Sequence, residues 1–539
     1  MERPVAIFVG AELEDNLSTR TLAAAVRAAG MAASTERFDG PAETARVAGR
    51  IAAREPALVG LSMAFQHRAT EFVALATELR AQGYRGHICA GGHVPTVMPE
   101  EVLAGGAIDT VLAHEGEDGI LALLRALDDR AVWPAIPALG WLGDDGALRL
   151  NPPAPARRDL DAFPLPVREG PLRRHLGLPF VPLWGSRGCY GSCRFCAIST
   201  FHRLRPGPRL RFRSPDSVAA EMAALYHDHG ARIFCFHDET MFLPRPAQTL
   251  ERLDAIAAGL RSRGVGRIAV VGKARPDAIE PGLLGRLRES LGLMRLYVGI
   301  ENWSAAGLAH LGRGVTAEQN ARALEVCRAE GVYGCYNLLI FEPETTLEDV
   351  ADNVRGMGRF PDIPVNFCRT EAYAGTPLWT DLRREGRLRT EGFATDYTLR
   401  DPQARLVFRI VREAFRDRNF AADGLANMTM SFGYERQLLL HFLPPGERGL
   451  AELAVEVDAL ILEINGDTRD KLARVVEFVR SPAASEAAAV TATTFELATE
   501  INLGGAALQE RLIDLRRAMN LLAERSGAWR EVLAPAPGR

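Results

Sequence analysis

Three cysteines stand close together in one short stretch of the chain. Cys189, Cys193 and Cys196 follow an apolar run at residues 180–184, with three and then two residues between them. Thiolates at this spacing can hold an iron–sulfur cluster. A closed zinc site or a ferredoxin-type cluster takes four protein ligands, and the next cysteine, Cys235, lies far along the chain. The spacing therefore predicts a cluster with one iron left open, as a cluster that binds and reduces a substrate requires.

Charged side chains directly follow several later apolar runs. These side chains are Asp238, Glu239, Arg275 and Glu301. A pair of carboxylates after a strand is by itself more often a solvated turn than a site. In a barrel of parallel strands, however, the carboxyl ends meet at one rim, and active sites lie there. The sequence therefore predicts that the cysteine loop and these charged residues belong to one functional rim.

The elements that must position these residues form the middle of the chain. Apolar runs alternate with helical patterns there, and the predicted strands are residues 180–184, 233–236, 268–271, 296–300, 338–341 and 365–368. Six strands interleaved with helices are typical of a partial (β/α)6 barrel. We predict this barrel over residues 176–389.

A different α/β domain is predicted before the barrel, and a helical one after it. In residues 1–132, predicted strands at 5–9, 57–61, 87–90 and 110–112 alternate with helical patterns. This alternation favours a doubly wound, Rossmann-like parallel sheet. Residues 133–175 are rich in proline and aspartate and are predicted to be a linker. Residues 390–539 show apolar stripes at helical spacing, which predict a helical C-terminal domain.

The cysteine motif, with Phe195 before its last cysteine, resembles that of the radical SAM superfamily. The resemblance implies an enzyme that holds a 4Fe–4S cluster on Cys189, Cys193 and Cys196. It also implies that the open iron chelates the amino and carboxylate groups of S-adenosyl-L-methionine (SAM). The bound SAM would then be cleaved reductively to a 5′-deoxyadenosyl radical.

The same resemblance assigns roles to residues after the other predicted strands. It implies that Asp238 and Glu239 hold the methionine amino group, that Arg275 lies near SAM, and that Glu301 belongs to a G-x-E segment. Phe341 stands where relatives pack the adenine, although it and Glu342 replace small residues there. Residues 373–377, Tyr-Ala-Gly-Thr-Pro, resemble a motif of the methyltransferase-like subset.

The first domain resembles the cobalamin-binding domain found beside some radical SAM barrels. The residues that carry this resemblance, or that would lie near the cofactor, are Ser62, Gln66, His67, Gly91, Gly92, His93, Glu115 and Gly116. Glycines at strand ends let backbone approach a ligand closely, and a serine hydroxyl there can bind a buried polar group. The resemblance implies bound cobalamin.

One departure from that family concerns the residue below the cobalt. Domains that supply a lower axial histidine use a D-x-H-x-x-G loop, and here Asp15 and Leu17 stand in the positions of its Asp and His. Leucine cannot ligate cobalt, so we expect base-off cobalamin with no lower axial histidine. His67 is a candidate for that face, although a lone histidine is more often a surface or core residue.

Composition limits the partners of the chain. The net charge is −4, with 47% hydrophobic and 24% charged residues, so no global positive field favours nucleic acid or an anionic membrane. No apolar run approaches the length of a membrane span, and the start is a poor signal peptide, so we expect a cytoplasmic protein without a membrane partner. The eight cysteines are then ligands or buried thiols.

The resemblance implies a function and leaves alternatives. It favours methylation of an unactivated carbon of a small-molecule intermediate, with a flavodoxin or ferredoxin as reductant. A cobalamin-dependent radical SAM enzyme that closes or rearranges a ring without methyl transfer is the main alternative. A tRNA methylthiotransferase is disfavoured because this chain ends in helices and its charge is balanced. A non-catalytic cobalamin carrier or sensor would not need the three cysteines.

Overall fold

The computed structural model describes residues 5–12 and 16–534 of the chain. Asp15, part of the loop compared with the axial-histidine motif, lies outside the described residues. The first sheet has the strand order β2-β1-β3-β4-β5-β6-β7. Its strands are β1 (Ala6–Gly10), β2 (Ala33–Arg37), β3 (Leu58–Ser62), β4 (His87–Gly91), β5 (Thr110–Leu112), β6 (Leu139–Leu142) and β7 (Leu148–Leu150).

The first five strands are parallel and alternate with helices, which confirms the doubly wound sheet. The helices are α1 (Leu17–Ala28), α2 (Thr44–Ala52), α3 (Ala69–Ala81), α4 (His93–Val97), α5 (Pro99–Leu103) and α6 (Glu117–Arg125). Helix α1 begins at Leu17 for a local reason. The reason is Asn16, whose side chain accepts hydrogen bonds from the Ser18 and Thr19 amides at 3.1 and 3.2 Å.

The stretch predicted as a linker is partly sheet. Strands β6 and β7 lie inside it and extend the first sheet in antiparallel fashion beyond β5. Asn151 anchors the end of this hairpin by donating to the carbonyl oxygens of Trp133 and Ile136 at 2.8 and 2.7 Å. Strands of three and four residues are too short for an alternating pattern to show, which is why the sequence indicated only a loop.

The second sheet is a half-barrel with the order β16-β15-β14-β13-β12-β9-β8. The strands of this region are β8 (Arg173–His175), β9 (Leu178–Leu183), β10 (Ser186–Arg187), β11 (Arg211–Phe212), β12 (Ile233–Phe236), β13 (Ala269–Ala274), β14 (Leu293–Val298), β15 (Tyr333–Phe341) and β16 (Val365–Arg369). Strands β10 and β11 form a separate small ladder. All six predicted barrel strands are present, and β12 to β16 are parallel.

Helices follow the half-barrel strands in the alternation that the sequence predicted. They are α7 (Ala197–Arg203), α8 (Pro215–His229), α9 (Pro246–Ser262), α10 (Leu283–Leu291), α11 (Ala305–His310), α12 (Ala317–Ala329) and α13 (Leu347–Met357). Strong caps fix several of these starts. Thr316 and Gln319, for example, satisfy each other's backbone amides in a capping box at the start of α12.

The C-terminal part is helical from Pro402 rather than from residue 390. Its elements are α14 (Pro377–Arg384), β17 (Leu388–Glu391), β18 (Ala394–Tyr397), α15 (Pro402–Ala414), α16 (Leu425–Phe442), α17 (Leu450–Arg480), α18 (Ala487–Arg525) and α19 (Gly527–Leu533). A hairpin of β17 and β18 occupies residues 388–397. The predicted apolar stripes are core, since Leu472, Val475, Val476 and Val479 of α17 are all buried.

The chain forms two compact units that do not follow its order. The first takes in residues 1–171, 182–214 and 371–397, and the second takes in 172–181, 215–370 and 398–539. The cysteine loop therefore belongs to the unit of the first sheet, and most of the half-barrel belongs to the other. Among the described residues, no helix has both the length and the apolar character needed to cross a membrane.

Candidate functional site

The three cysteines lie on a loop that begins at β10 and ends at α7. Cys193 is buried, whereas Cys189 and Cys196 are partly exposed. The Gly191 amide donates to Cys189 Sγ at 3.3 Å. Burial raises the pKa of the Cys196 thiol to about 11, and the nearby Cys193 and Cys189 sulfurs add to the increase. The sulfurs thus lie within electrostatic reach of one another.

The donor set of this loop fits an iron–sulfur cluster. Buried thiols whose thiolate forms would repel one another lose their protons when a metal centre supplies the compensating charge. Among the described residues, no three His, Cys, Asp or Glu side chains are already placed as a metal-ligand group. The fit therefore rests on three adjacent sulfurs on one short loop, and not on a finished coordination geometry.

A buried ion cluster ties the cysteine segment to the first sheet. Glu115, predicted near cobalamin, accepts from Arg205 at 2.8 Å and from Arg211, and lies 3.6 Å from Arg187. Glu117 accepts from Arg187 at 2.6 Å. Burial alone would raise the pKa of Glu115, but the Arg211 hydrogen bond and the arginine charges outweigh it and hold that pKa well below its usual range. The structure thus places Glu115 among arginines of residues 187–211.

The carboxyl ends of β3 and β4 bring together the predicted cobalamin residues. Ser62 and Gly91 are register partners. Gly92 has φ +107°, and a Cβ there would lie 3.1 Å from the Met63 carbonyl oxygen, so only glycine fits this turn. A Cβ on Gly91 would meet nothing closer than 3.5 Å, which leaves room above it. This edge, beside the point where the strand order reverses, is where open α/β sheets bind ligands.

Two histidines at this edge carry unsatisfied nitrogens. His93 Nε2 and His114 Nδ1 are buried and have no hydrogen-bond partner within the described part of the chain. Both rings contact Phe201 of α7, at centroid distances of 4.5 and 5.4 Å. Burial lowers the pKa of His93 to about 4, so its ring is neutral. A neutral nitrogen without a partner suits a polar group of a bound cofactor.

Gln66 and His67 differ in what they contact. The Gln66 amide group is buried: it donates to the Phe393 carbonyl oxygen and accepts from the Ala374 amide, both at 2.8 Å. It therefore holds residues 371–397 within the first unit. His67 is exposed, with its ring 5.8 Å from that of exposed Phe65.

Leu17 starts α1 and packs on Leu160, Phe163 and Trp184. Gly116 precedes α6 as its N-cap.

In the second unit, charged residues meet at the carboxyl ends of β13 and β14. Arg275 contacts Asp277 at 3.0 Å and donates to the Arg313 carbonyl oxygen at 2.7 Å. Glu301 has φ +63°. Burial raises the pKa of Glu301, and the charges of Arg313 and Arg275 oppose the increase. The structure thus groups Arg275, Glu301 and Arg313. Sequence reasoning missed Arg313, although an arginine between two glycines was the available signal.

The remaining predicted residues have distinct surroundings. Asp238 is buried and Glu239 partly exposed in the loop after β12, and the Met241 amide of that loop donates to the Lys273 carbonyl oxygen at 2.9 Å. Phe341 is fully buried at the end of β15 and packs on Phe408 of α15 at 5.1 Å. Phe195, in the cysteine loop, is partly exposed.

Comparison with protein families identifies two domains in the chain. Residues 5–124 match the B12 binding domain, and residues 185–355 match the radical SAM superfamily. The chain is a cobalamin-dependent radical SAM enzyme. The radical SAM domain implies a 4Fe–4S cluster and SAM, and the B12-binding domain implies cobalamin.

Curated relatives of this radical SAM enzyme include methyltransferases and a cyclase. It is 27% identical over 340 residues to the uncharacterized methyltransferase PH0819 of Pyrococcus horikoshii, covering 61% of this chain and 71% of that one. It is 27% identical over 357 residues to the hopanoid C-3 methylase of Methylococcus capsulatus, covering 65% and 64%. The anaerobic magnesium-protoporphyrin IX monomethyl ester cyclase of Synechocystis is 27% identical over 251 residues, covering 46% and 48%.

A solved structure shares the fold over nearly the whole chain. It is the cobalamin-dependent S-adenosylmethionine radical enzyme OxsB with aqua-cobalamin bound, matched with a TM-score of 0.66 and 15% identity. The match covers 99% of this chain and 83% of OxsB. The order of a Rossmann-like sheet, a half-barrel and a helical C-terminal region is therefore a shared architecture.

Proposed function

We propose that this radical SAM enzyme methylates an unactivated carbon of a small-molecule intermediate. The observation that carries the proposal is the B12-binding domain on the same chain as a radical SAM domain, with methyltransferases among the curated relatives. When bound, the cluster and SAM supply a 5′-deoxyadenosyl radical that removes a substrate hydrogen atom, and cobalamin supplies the methyl group. The protein must hold these groups and exclude water and oxygen.

Cys189, Cys193 and Cys196 are proposed to hold the cluster, with Phe195 packing beside it. Their place on one loop, with Cys193 buried and Cys189 and Cys196 partly exposed, supports this assignment. The Glu115 ion cluster supports it indirectly, because it fixes the segment that follows the loop. A flavodoxin or a ferredoxin is proposed to reduce the bound cluster.

The edge formed by β3 and β4 is proposed to bind cobalamin. Ser62, Gly91 and Gly92 offer a hydroxyl and close backbone approach, and His93 offers its unsatisfied nitrogen. Leu17 has no donor atom, so we expect the cofactor to be base-off, without an axial histidine from that position. Glu115, Gly116, Gln66 and His67 remain predicted contacts, although the side chains of Glu115 and Gln66 already bind protein groups.

SAM is proposed to contact the charged residues that follow the half-barrel strands. Asp238 and Glu239 would receive its amino group, while Arg275 and Glu301 lie in the charged group at the ends of β13 and β14. A carboxylate kept next to arginines, as Glu301 is, can accept a hydrogen bond without losing its orientation. Phe341 remains a predicted neighbour of the adenine, although its ring is buried against Phe408.

A second candidate is ring formation without methyl transfer, which the similarity to the magnesium-protoporphyrin cyclase favours. One experiment separates the two. The chain, reconstituted anaerobically with iron, sulfide and hydroxocobalamin, is reduced and supplied with SAM carrying a trideuterated methyl group. A methyltransferase should give both 5′-deoxyadenosine and S-adenosylhomocysteine, with the labelled methyl recovered with cobalamin. 5′-Deoxyadenosine without S-adenosylhomocysteine or label on cobalamin would contradict methyl transfer.

The cofactor assignments are tested on the same preparation. We expect four irons and one cobalamin per chain, with a base-off cobalt(II) EPR spectrum after reduction. Cys193→Ala should abolish the cluster and SAM cleavage but keep cobalamin, because Cys193 lies in the cysteine loop and is not one of the residues proposed to contact cobalamin. Cys327→Ala, in a buried cysteine of α12, is the matched control and should retain the cluster. If Cys193→Ala keeps producing 5′-deoxyadenosine, the loop does not hold the cluster.

A further inference from the structure

Lys273 is an unusual residue in this chain. Lysine and arginine together number 64, yet only two of them are lysines, and the other, Lys471, is buried on α17 and ion-paired with Asp467. Lys273 lies near the end of β13 and is exposed, whereas every other residue of that strand is buried. Within the described residues, no carboxylate lies in salt-bridge range of its ammonium group, and that group makes no hydrogen bond.

The two faces of the half-barrel are distinguished by what packs on them. A Cβ on Gly334 of β15 would lie 3.3 Å from Cys327 of α12, so this face of the sheet packs on the surrounding helices. The neighbouring residue Tyr333 and its register partner Arg295 point to the other side. There the Arg295 guanidinium lies over the ring of Tyr434 in α16, at 4.7 Å. The second face is therefore the inner face, and α16 closes its lower part.

Lys273 lies on this inner face, one row above the part that α16 covers. Its register partner on β14 is Tyr297, and the partner of Tyr297 on β15 is Cys335. Successive residues of a strand alternate between faces, so Lys273, Tyr297 and Cys335 form one row across three strands. Asn337, two residues beyond Cys335, continues the same face and is exposed. Among the described residues, the side-chain amide of Asn337 makes no hydrogen bond.

A buried arginine fixes the row from below. Arg295 Nη2 donates to the Tyr297 hydroxyl at 2.7 Å, and Nε donates to Cys335 Sγ at 3.3 Å. Within the described residues, no carboxylate lies in salt-bridge range of Arg295 either, although it is only 7% exposed. Two cations without a carboxylate beside them give this part of the inner face a positive potential.

We propose that Lys273 and Asn337 bind an anionic group of the substrate, a carboxylate or a phosphate. An ammonium group and a side-chain amide can each donate a hydrogen bond to such a group, and charge-assisted hydrogen bonds are the stronger kind. The position fits a substrate contact, because it lies just below the rim formed by the carboxyl ends of the strands. The inference rests on the proposed function in one respect: it names the substrate class for that reaction.

The scarcity of lysine allows a direct binding test. The full-length reconstituted enzyme is acetylated with the N-hydroxysuccinimide ester of acetic acid, and the rate at Lys273 is followed by peptide mass spectrometry. Pyrophosphate and citrate serve as phosphate and carboxylate probes, against sodium chloride at equal ionic strength. We expect one or both probes to slow acetylation of Lys273 at least about threefold. Lys471 serves as an internal control, because its acetylation would report unfolding.

The outcomes separate the sources of the anion. Protection by pyrophosphate alone indicates a phosphorylated substrate, and protection by citrate alone indicates a carboxylate. Equal rates with chloride and both probes would overturn the proposal, as would protection by SAM alone, because Lys273 would then contact the SAM carboxylate. Asn337→Ala should raise the half-protecting probe concentration about threefold to tenfold, the loss expected for one hydrogen bond. Asn520→Ala, on exposed α18, is the matched control and should leave it unchanged.

This test does not depend on turnover. Protection of Lys273 needs neither SAM cleavage nor methyl transfer, so it can succeed where the labelled-SAM experiment fails, and the reverse. As a second measurement, SAM alone is added to the acetylation assay, and it should leave the acetylation rate of Lys273 within about twofold of the rate in sodium chloride. If SAM alone slows this acetylation as strongly as the anionic probes do, the residue serves SAM and the proposal is wrong.

Discussion

Glu115→Gln should loosen the segment that follows the cysteine loop. The Glu115 side chain is 8% exposed, and its partners Arg211 and Arg205 are 2% and 10% exposed. The substitution keeps the size of the side chain but removes the charge that both arginines share. Arg211 then keeps only neutral acceptors such as the Arg157 carbonyl oxygen at 2.8 Å, whereas Arg187 keeps Glu117.

The expected effect is large because the ion cluster is mostly shielded from water. Removing one partner of a buried ion pair costs about 3–5 kcal/mol. Since about 1.4 kcal/mol corresponds to a factor of ten, local opening of this segment should become about a hundredfold to a few thousandfold more frequent. An exposed pair has no such effect. Arg474 and Glu500, 53% and 47% exposed, should contribute about 1 kcal/mol or less.

Amide hydrogen exchange measures this opening directly. Peptides from residues 197–213 should exchange about a hundredfold faster or more in Glu115→Gln than in the unaltered chain. Peptides from the half-barrel helices should not change. Glu500→Gln is the matched control, and exchange near it should stay within about tenfold. If the 197–213 peptides of Glu115→Gln exchange within about fivefold of the unaltered rate, the ion cluster does not fix this segment.

Two further changes test other parts of the structure. The pKa of His93 is lowered by burial to about 4, so the unfolded chain takes up this proton first, and stability falls as pH drops from about 6.5 to about 4. His93→Phe should remove up to about 1.4 kcal/mol per pH unit of that loss of stability. The difference between the urea midpoints at pH 7.5 and pH 5 should therefore be smaller in the variant. An unchanged difference would exclude His93 as the source of the loss. In α16, a Cβ on Gly433 would lie 2.1 Å from the Tyr333 hydroxyl, so Gly433→Ala should cost about 1–3 kcal/mol and lower the melting temperature. Gly504→Ala in α18, where no atom lies within 4 Å of the new Cβ, should keep or raise it, and equal effects of the two would contradict the packing argument.

Strands with buried, apolar runs were predictable from the sequence. The strand predicted at 233–236 is observed as β12 with those bounds, because Ile-Phe-Cys-Phe is apolar throughout and is flanked by the polar residues Arg232 and His237. By contrast, β2 at Ala33–Arg37 was not predicted. It lies at the sheet edge and is mostly half-buried, so its Ser, Thr and Glu leave no apolar signal.

The sequence predicted the cofactors of the site better than it predicted the contacts of the site residues. The cysteine spacing is a local property, so the sequence alone indicated a cluster. The contacts of Glu115 depend on arginines that lie up to 96 residues away along the chain, and no local pattern encodes such a pairing. The same holds for Gln66, whose partners are more than 300 residues distant. Both residues could be placed near a strand end from the sequence, but their partners depend on tertiary structure.

The hydrogen bonds made by Gln66 also bear on how the protein folds while it is being synthesised. The first compact unit needs residues 371–397, including the Phe393 carbonyl and the Ala374 amide that satisfy the Gln66 side chain. At roughly 5–20 residues per second, these residues emerge on the order of ten seconds or more after residue 171. During that time the first compact unit of the nascent chain is incomplete, and the surface that residues 371–397 cover stays exposed. A fragment that ends at residue 171 would keep that surface permanently exposed.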